Sequence, residues 1–207
     1  MFYITSTPWW LKSIFPKGLT WLGNPAGNTL YLTFDDGPHP EITGFVLDQL
    51  KSAKAKGTFF CIGENVERYP ETFERIKVEG HQTGNHTQTH PDGWKMNAED
   101  YLLEIMMADR LIRSNIFRPP YGKITREQVQ IMEKKLPEMK VIMWTGVTGD
   151  FDTRKTGSWC ARQAVRFARA GSIIVFHDSE KAFPRMKIAL PEVLEYMEKH
   201  NLKSGLL

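Results

Sequence analysis

The hydrophobic and polar positions of the chain switch repeatedly between a period of two and a period near 3.6. Thr29–Phe34 (TLYLTF) alternates and stops at Asp35-Asp36-Gly37-Pro38, which predicts a strand ending in a turn. Glu41–Ser52 sets Ile42, Val46, Leu47 and Leu50 on one helical face. Gly57–Ile62 is a short apolar strand. Tyr69–Glu79 follows as a helix, with Pro70 in its first turn and Gly80 past its end. Gln82–Gly84 is a brief strand before a histidine-rich loop. Asn97–Arg113 is a helix with Asn97 as N-cap and Leu102, Ile105, Met106 and Ile112 at helical spacing. Ile116–Arg118 is a strand stopped by Pro119-Pro120, and Thr125–Gln128 is a capping box opening the next helix. Lys140–Trp144 reads as a strand, Ser158–Ala170 as a helix ended by Gly171, Ser172–Phe176 as a buried strand and Ile188–His200 as the last helix.

This alternation predicts an α/β domain with a largely parallel sheet, in which chemistry gathers at the C-terminal ends of the strands. Asp35-Asp36, His86/His90, Arg118, Asp150 and His177 each follow a strand-like segment. A length of 207 residues with 41% hydrophobic and 25% charged residues suits one folded domain and argues against disorder. Basic residues number 27 against 24 acidic, a net +3 with no basic run, so no nucleic-acid partner is expected. Cys61 and Cys160 lie too far apart for a CxxC site, a pair of residues cannot make a disulfide framework, and two free thiols are expected. No repeat or linker follows residue 28. The apolar residues of the first segment, 1–28 (Phe2, Tyr3, Trp9, Trp10, Leu11, Ile14, Phe15 and Trp21), are expected to pack on the domain formed by 29–207. Membrane contact is the lesser reading, because Lys12 and Lys17 alone supply positive charge there. Met1–Leu11 shows neither a basic n-region nor a small-residue cleavage site, which points to a location in the cytoplasm or peripheral to the envelope.

Asp35 and Asp36 are adjacent carboxylates, which repel unless a cation lies beside them. An exposed Asp-Asp-Gly-Pro turn would also account for them. His86 and His90, in GNHTQTHP, stand four apart, so that one helical turn would bring both imidazoles to a common point. Two surface histidines are the alternative. Taken together, the acidic pair and the histidine pair give a His₂Asp donor set, the kind that leaves coordination positions open for hydrolysis. Arg118 can pair bidentately with a carboxylate or form a loop salt bridge. His177 can act as a proton donor or be a core histidine bonded to backbone. His81 reads as structural, His39 as a rim residue, His200 as a surface helix residue, and Asp152, Arg154 and Lys155 as a solvated loop.

Four segments in order resemble the polysaccharide deacetylases (carbohydrate esterase family 4, the NodB-homology domain). They are Thr33–Gly37, the His-Thr-x-x-His of His86–His90, Arg118-Pro119-Pro120-Tyr121, and the last apolar strand with His177. The resemblance implies a single-domain distorted (β/α) barrel with a groove at the C-terminal ends of its strands. It implies removal of acetyl groups from N-acetylated sugars, in N-acetylglucosamine-containing chains such as peptidoglycan or chitin. A non-sugar amide or ester, or an inert sugar-binding relative, is the alternative. It also implies a divalent metal, zinc first and cobalt, nickel or manganese after it. Carried over by position, Asp36, His86 and His90 hold the metal. Asp35 is the base, Arg118 orients it, His177 is the acid and Asp150 orients that histidine. Tyr121 supplies an oxyanion N–H, and Pro119, Pro120 and Phe151 line the groove. The fourth motif departs from the family's pattern, since Val147 and Phe151 stand where it usually has aspartate and tryptophan. Proton transfer is expected to survive this change, and the groove wall to differ.

Overall fold

Strand β1 (Thr29–Asp35) is the axis of the sheet. In this computed structural model, which describes residues 15–207, β1 pairs with β2 (Thr58–Cys61) on one side and with β7 (Ile173–His177) on the other. A short β8 (Lys203–Ser204) joins its beginning. Beyond β2 follow β3 (Gln82–Asn85), β4 (Ile116–Phe117) and β5 (Lys140–Val141), and β6 (Gly146–Val147) lies beyond β7. Every pairing is parallel.

The sheet order is β5-β4-β3-β2-β1-β7-β6. Elements β5 and β6 are neighbours in sequence but sit at opposite ends of that order. The chain therefore crosses from one edge to the other between them. The Ile142 N–H donates to the Phe117 carbonyl (2.8 Å) and the Thr145 N–H to the Ile173 carbonyl (2.9 Å). This crossing curls the sheet into the distorted barrel. It also corrects the single strand expected at Lys140–Trp144. Only Lys140–Val141 forms a strand in that run; after Ile142 the backbone leaves β4, and pairing resumes beyond the run at β6.

The period of two in β1 sorts its side chains. Leu30, Leu32 and Phe34 face the helical layer, where they join a core with Val46, Leu47 and Leu190. Phe34 stacks on Phe59 (4.9 Å) and Phe176 (5.7 Å). The other face of β1 carries Tyr31, Thr33 and Asp35 inward, and all three are buried. Burial on both faces is usual for a parallel strand.

The helical layer consists of α1 (Pro40–Ser52), α2 (Gly63–Arg68), α3 (Pro70–Val78), α4 (Ala98–Ile112), α5 (Arg126–Lys135), α6 (Gly157–Phe167) and α7 (Phe183–Lys199). Asn97 caps α4 and Thr125 forms a reciprocal capping box with Gln128, as their sequence spacing predicts. Helix α7 begins at Phe183 rather than Ile188. Pro184 occupies its first turn, where a missing N–H costs little. The short elements α2, β6 and β8 carry too few residues for a period to be read. Cys61 and Cys160 are buried free thiols.

Residues 15–28 run along the crossing segment. Thr20 bridges to Ile142, its N–H donating to the Val141 carbonyl (2.9 Å). Phe15, Leu19 and Trp21 pack against a core containing Phe117, Val141 and Met143. The expectations for Met1–Leu11 and for Phe2, Tyr3, Trp9, Trp10 and Ile14 fall outside the described residues. Among the described residues no helix is long and apolar enough to cross a membrane.

Candidate active site

Asp35 closes β1 and is buried. Its Oδ1 accepts from Arg118 Nη1 at 2.7 Å. Arg118 follows β4 and is completely buried. Its guanidinium also donates to Thr33 Oγ1 (2.7 Å), the Ile142 carbonyl (3.3 Å) and the Met143 carbonyl (3.1 Å), and lies 4.0 Å from the Phe60 ring centroid. Burial lowers the Arg118 pKa and Asp35 opposes that shift. A guanidinium keeps its charge even so. The barrel interior thus holds a buried cation with several acceptors and a single carboxylate, which fixes where that carboxylate points.

Asp36 leaves the strand with φ of 80°, in the left-handed region. Its side chain therefore diverges from that of Asp35 and meets His90 Nε2 at 3.2 Å and His86 Nε2 at 3.7 Å. Burial raises the Asp36 pKa, but the hydrogen bond from His90 and the charges of His177, His86 and His90 outweigh it, so the carboxyl lies well below the usual range. Asn65 Nδ2 donates to the Asp36 carbonyl (2.8 Å), tying this turn to α2.

His86 and His90 are not on a helix. They sit on a loop after β3 with Thr87 and His90 at φ of 68° and 60°. Side chains replace helical bonds here. Asn85 Oδ1 accepts from the Thr87 N–H (2.9 Å), and Thr87 Oγ1 accepts from the His90 N–H (3.1 Å). The common point predicted from a four-residue spacing is reached by strained loop geometry instead. Non-glycine residues at positive φ cost free energy and persist where surroundings over-determine them. Tyr121, at φ of 59° in the turn Pro120–Gly122, is a further case at this same site.

One ligand atom from each of Asp36, His86 and His90 lies within 4.8 Å of the others. His86 Nδ1 is 2.7 Å from the Arg118 carbonyl, so Nδ1 carries the proton and Nε2 offers its lone pair toward Asp36. Burial holds the His86 pKa down at about 4, which keeps the ring neutral. Two imidazoles and an ionised carboxylate are donor types that suit a divalent cation of the zinc type.

His177 ends β7 beside Asp35, its register partner in β1. Asp150 receives both of its N–H groups, Nδ1 at 2.7 Å on Oδ1 and the backbone N–H at 2.8 Å on Oδ2. Burial opposes the charged imidazole, but the Asp150 charge and hydrogen bond raise its pKa to about 10. Arg185 Nε, from α7, braces the Asp150 carbonyl. The Phe151 ring packs edge-on against the His177 ring at 5.2 Å. Pro119 and Pro120 are buried, whereas Tyr121 is 59% exposed with its ring 4.7 Å from that of His90. Val147 is buried in β6.

Several readings change. His39 is the N-cap of α1, accepting from the Ile42 N–H (3.4 Å). Asp152 is buried and paired with Arg154 (2.9 Å) rather than solvated. His81 is structural as expected, its Nδ1 accepting from the Gly57 N–H (3.1 Å). His200 is exposed at the C-terminal end of α7. Asp178 went unread in the sequence. It is buried behind the Asp36-Gly37 turn and bonded through Oδ2 to Thr43 Oγ1, and burial raises its carboxyl to about 7. Thr43, Asn65 and Asn85 also brace the site, and the bonds from Thr43 to Asp178, Asn65 to Asp36 and Asn85 to the Ile105 carbonyl span too much chain for a local pattern to flag them.

Carboxylate, imidazole and guanidinium groups thus gather at the C-terminal ends of neighbouring parallel strands of an α/β barrel. The family profile described as polysaccharide deacetylase matches residues 22–136, and the chain belongs to that family. The matched stretch contains every residue from Asp35 to Tyr121 discussed above, while Asp150 and His177 lie beyond it. A peptidoglycan-N-acetylglucosamine deacetylase of Bacillus cereus is 37% identical over 126 residues, 58% of this chain and 45% of that protein. The chain thus spans under half the length of that relative. A chitooligosaccharide deacetylase of Bradyrhizobium sp. is 34% identical over 72% of this chain and 70% of its own. Among solved structures, a peptidoglycan N-acetylglucosamine deacetylase in complex with 4-naphthalen-1-yl-N-oxidanyl-benzamide superposes with a TM-score of 0.87, at 27% identity, over 97% of this chain and 95% of that one.

Proposed function

We propose that this chain removes acetyl groups from N-acetylglucosamine-containing oligo- or polysaccharides by hydrolysis. The observation that carries the reading is the convergence of Asp36, His86 and His90 within 4.8 Å beside two preorganised pairs, Asp35–Arg118 and His177–Asp150. Asp36, His86 and His90 are the residues that would hold a divalent cation, zinc by their donor types. When bound, such a cation supplies Lewis acidity for polarising a carbonyl and acidifying water.

The chain's own groups do the rest. Asp35, aimed by Arg118, takes the proton of the attacking water. The Tyr121 backbone N–H donates to the developing oxyanion, its place set by the Pro119-Pro120 backbone. His177 holds its proton on Nε2, since Nδ1 is engaged by Asp150, and passes it to the departing nitrogen. A pKa of about 10 keeps that proton in place at neutral pH. Phe151 fixes the ring from the side and forms part of the groove wall. Free amino sugar and acetate leave.

The test is acetate release from N-acetylated chitooligosaccharides, from peptidoglycan and from small amides, after chelation and again after zinc is restored. Zinc-dependent acetate release from the sugars is expected. Release from the small amides alone would assign the site to a non-sugar hydrolase, and binding of oligosaccharide without release would make the protein an inert relative.

A further inference from the structure

Between His90 and α4, the chain makes a short 3₁₀ turn, Gly93–Lys95, that presents Trp94 with 62% of its surface exposed. Trp94 belongs to none of the segments that carry the catalytic groups. The turn is nevertheless built with care. Asp92 Oδ1 accepts from the Trp94 N–H (3.2 Å), and Gln128 Nε2, from α5, donates to the Gly93 (2.7 Å) and Met96 (3.1 Å) carbonyls. A side chain at Gly93 would collide with the Lys123 carbonyl, so the turn is pressed against the segment that follows Tyr121. Lys123 Nζ is held by Asp92 Oδ2 at 2.6 Å. It stands 5.2 Å from the Trp94 ring centroid and 5.6 Å from that of Tyr121. Tyr121 in turn rests on the ring of His90.

Two exposed aromatic rings that share a fixed cation are therefore linked, contact by contact, to a proposed metal ligand. A single exposed ring is ordinary on a protein surface, but Trp94 and Tyr121 flank one cation that Asp92 holds in place, beside the proposed metal ligand His90. The apolar C–H face of a pyranose stacks on an aromatic ring, while its hydroxyls suit a rim such as Lys123 and Asp92. We propose that Trp94 is a specificity-determining platform that stacks a sugar unit next to the one being deacetylated. The substrate is then a chain of β-linked N-acetylhexosamines and not a single sugar. This rests on the function proposed above, though binding alone can test it.

Trp94→Ala and Trp94→Phe are compared with the parent chain in two assays. These are isothermal titration with N-acetylchitopentaose and N-acetylglucosamine, and the KM and kcat for acetate release from each. Trp94→Ala is expected to weaken pentaose binding and raise its KM about tenfold, roughly the value of one well-made aromatic contact. The effect on the single sugar should be smaller, kcat for the pentaose should move little, and Trp94→Phe should recover most of the loss. Pentaose binding equal to that of the parent, equal losses on both substrates, or a parent chain that binds no pentaose would each overturn the platform. Pentaose binding that depends on Trp94 without any acetate release would sustain the platform and refute the catalytic reading instead.

Discussion

Asp35 and Asp36 are chemically identical and adjacent, yet the backbone gives them separate tasks. Asp35 keeps extended geometry and enters the barrel toward Arg118, while Asp36 turns through a positive φ toward His86 and His90. Asp35→Asn is expected to lower kcat at least ~100-fold with little change in fold, because the amide cannot take a proton. Steady-state kinetics with circular dichroism checks this. His177→Ala should cost a similar factor. The raised His177 pKa also carries a stability consequence. Its folded value of about 10 exceeds the ordinary value of 6.5, so the stabilisation is complete below pH 6.5 and fades as pH rises toward 10. Thermal melts should show Tm falling across that window, with a shallower slope in Asp150→Asn.

At the scale of elements, the site depends on parallel strands that end together. Strand β1 stands between β2 and β7, which brings Asp35 level with His177, and the loop after β3 and the end of β4 supply His86 and Arg118. Arg118→Ala would leave Asp35 buried and unpaired, a change that costs ~3–5 kcal/mol. Urea unfolding followed by tryptophan fluorescence measures it. Phe34→Ala acts on the opposite face of β1. It empties the stack between Phe59 and Phe176 and should also cost ~3–5 kcal/mol, chiefly in stability, with KM nearly unchanged in the surviving folded fraction.

Over the whole molecule, folding and the metal site are coupled. The three donor residues come from the β1 turn and the loop after β3, some fifty positions apart, and meet only in the folded chain. A cation that binds the folded state alone adds about 2.7 kcal/mol at a free concentration of roughly 100 Kd. Zinc is therefore expected to raise Tm, chelation to lower it, and His86→Ala to abolish both the shift and the retained zinc seen by elemental analysis.

The sequence by itself determined the helices with long apolar periods and clear caps, the inward and outward faces of β1, and the residue types of the site. Those follow from local rules of period, capping and donor chemistry. Only the tertiary structure decided how the same residues act. It placed Asp35 and Asp36 on different partners, brought His86 and His90 from the loop after β3 to Asp36, and divided Lys140–Val147 between two edges of the barrel. It also buried Asp152 and Asp178. For Asp35, Asp36, Asp178 and the crossing segment the deciding contact joins segments distant in the chain, and no window along the sequence contains both partners. Trp94 shows the same division. Its sequence records an aromatic residue after a glycine, and only the fold brings Lys123 beside both it and Tyr121.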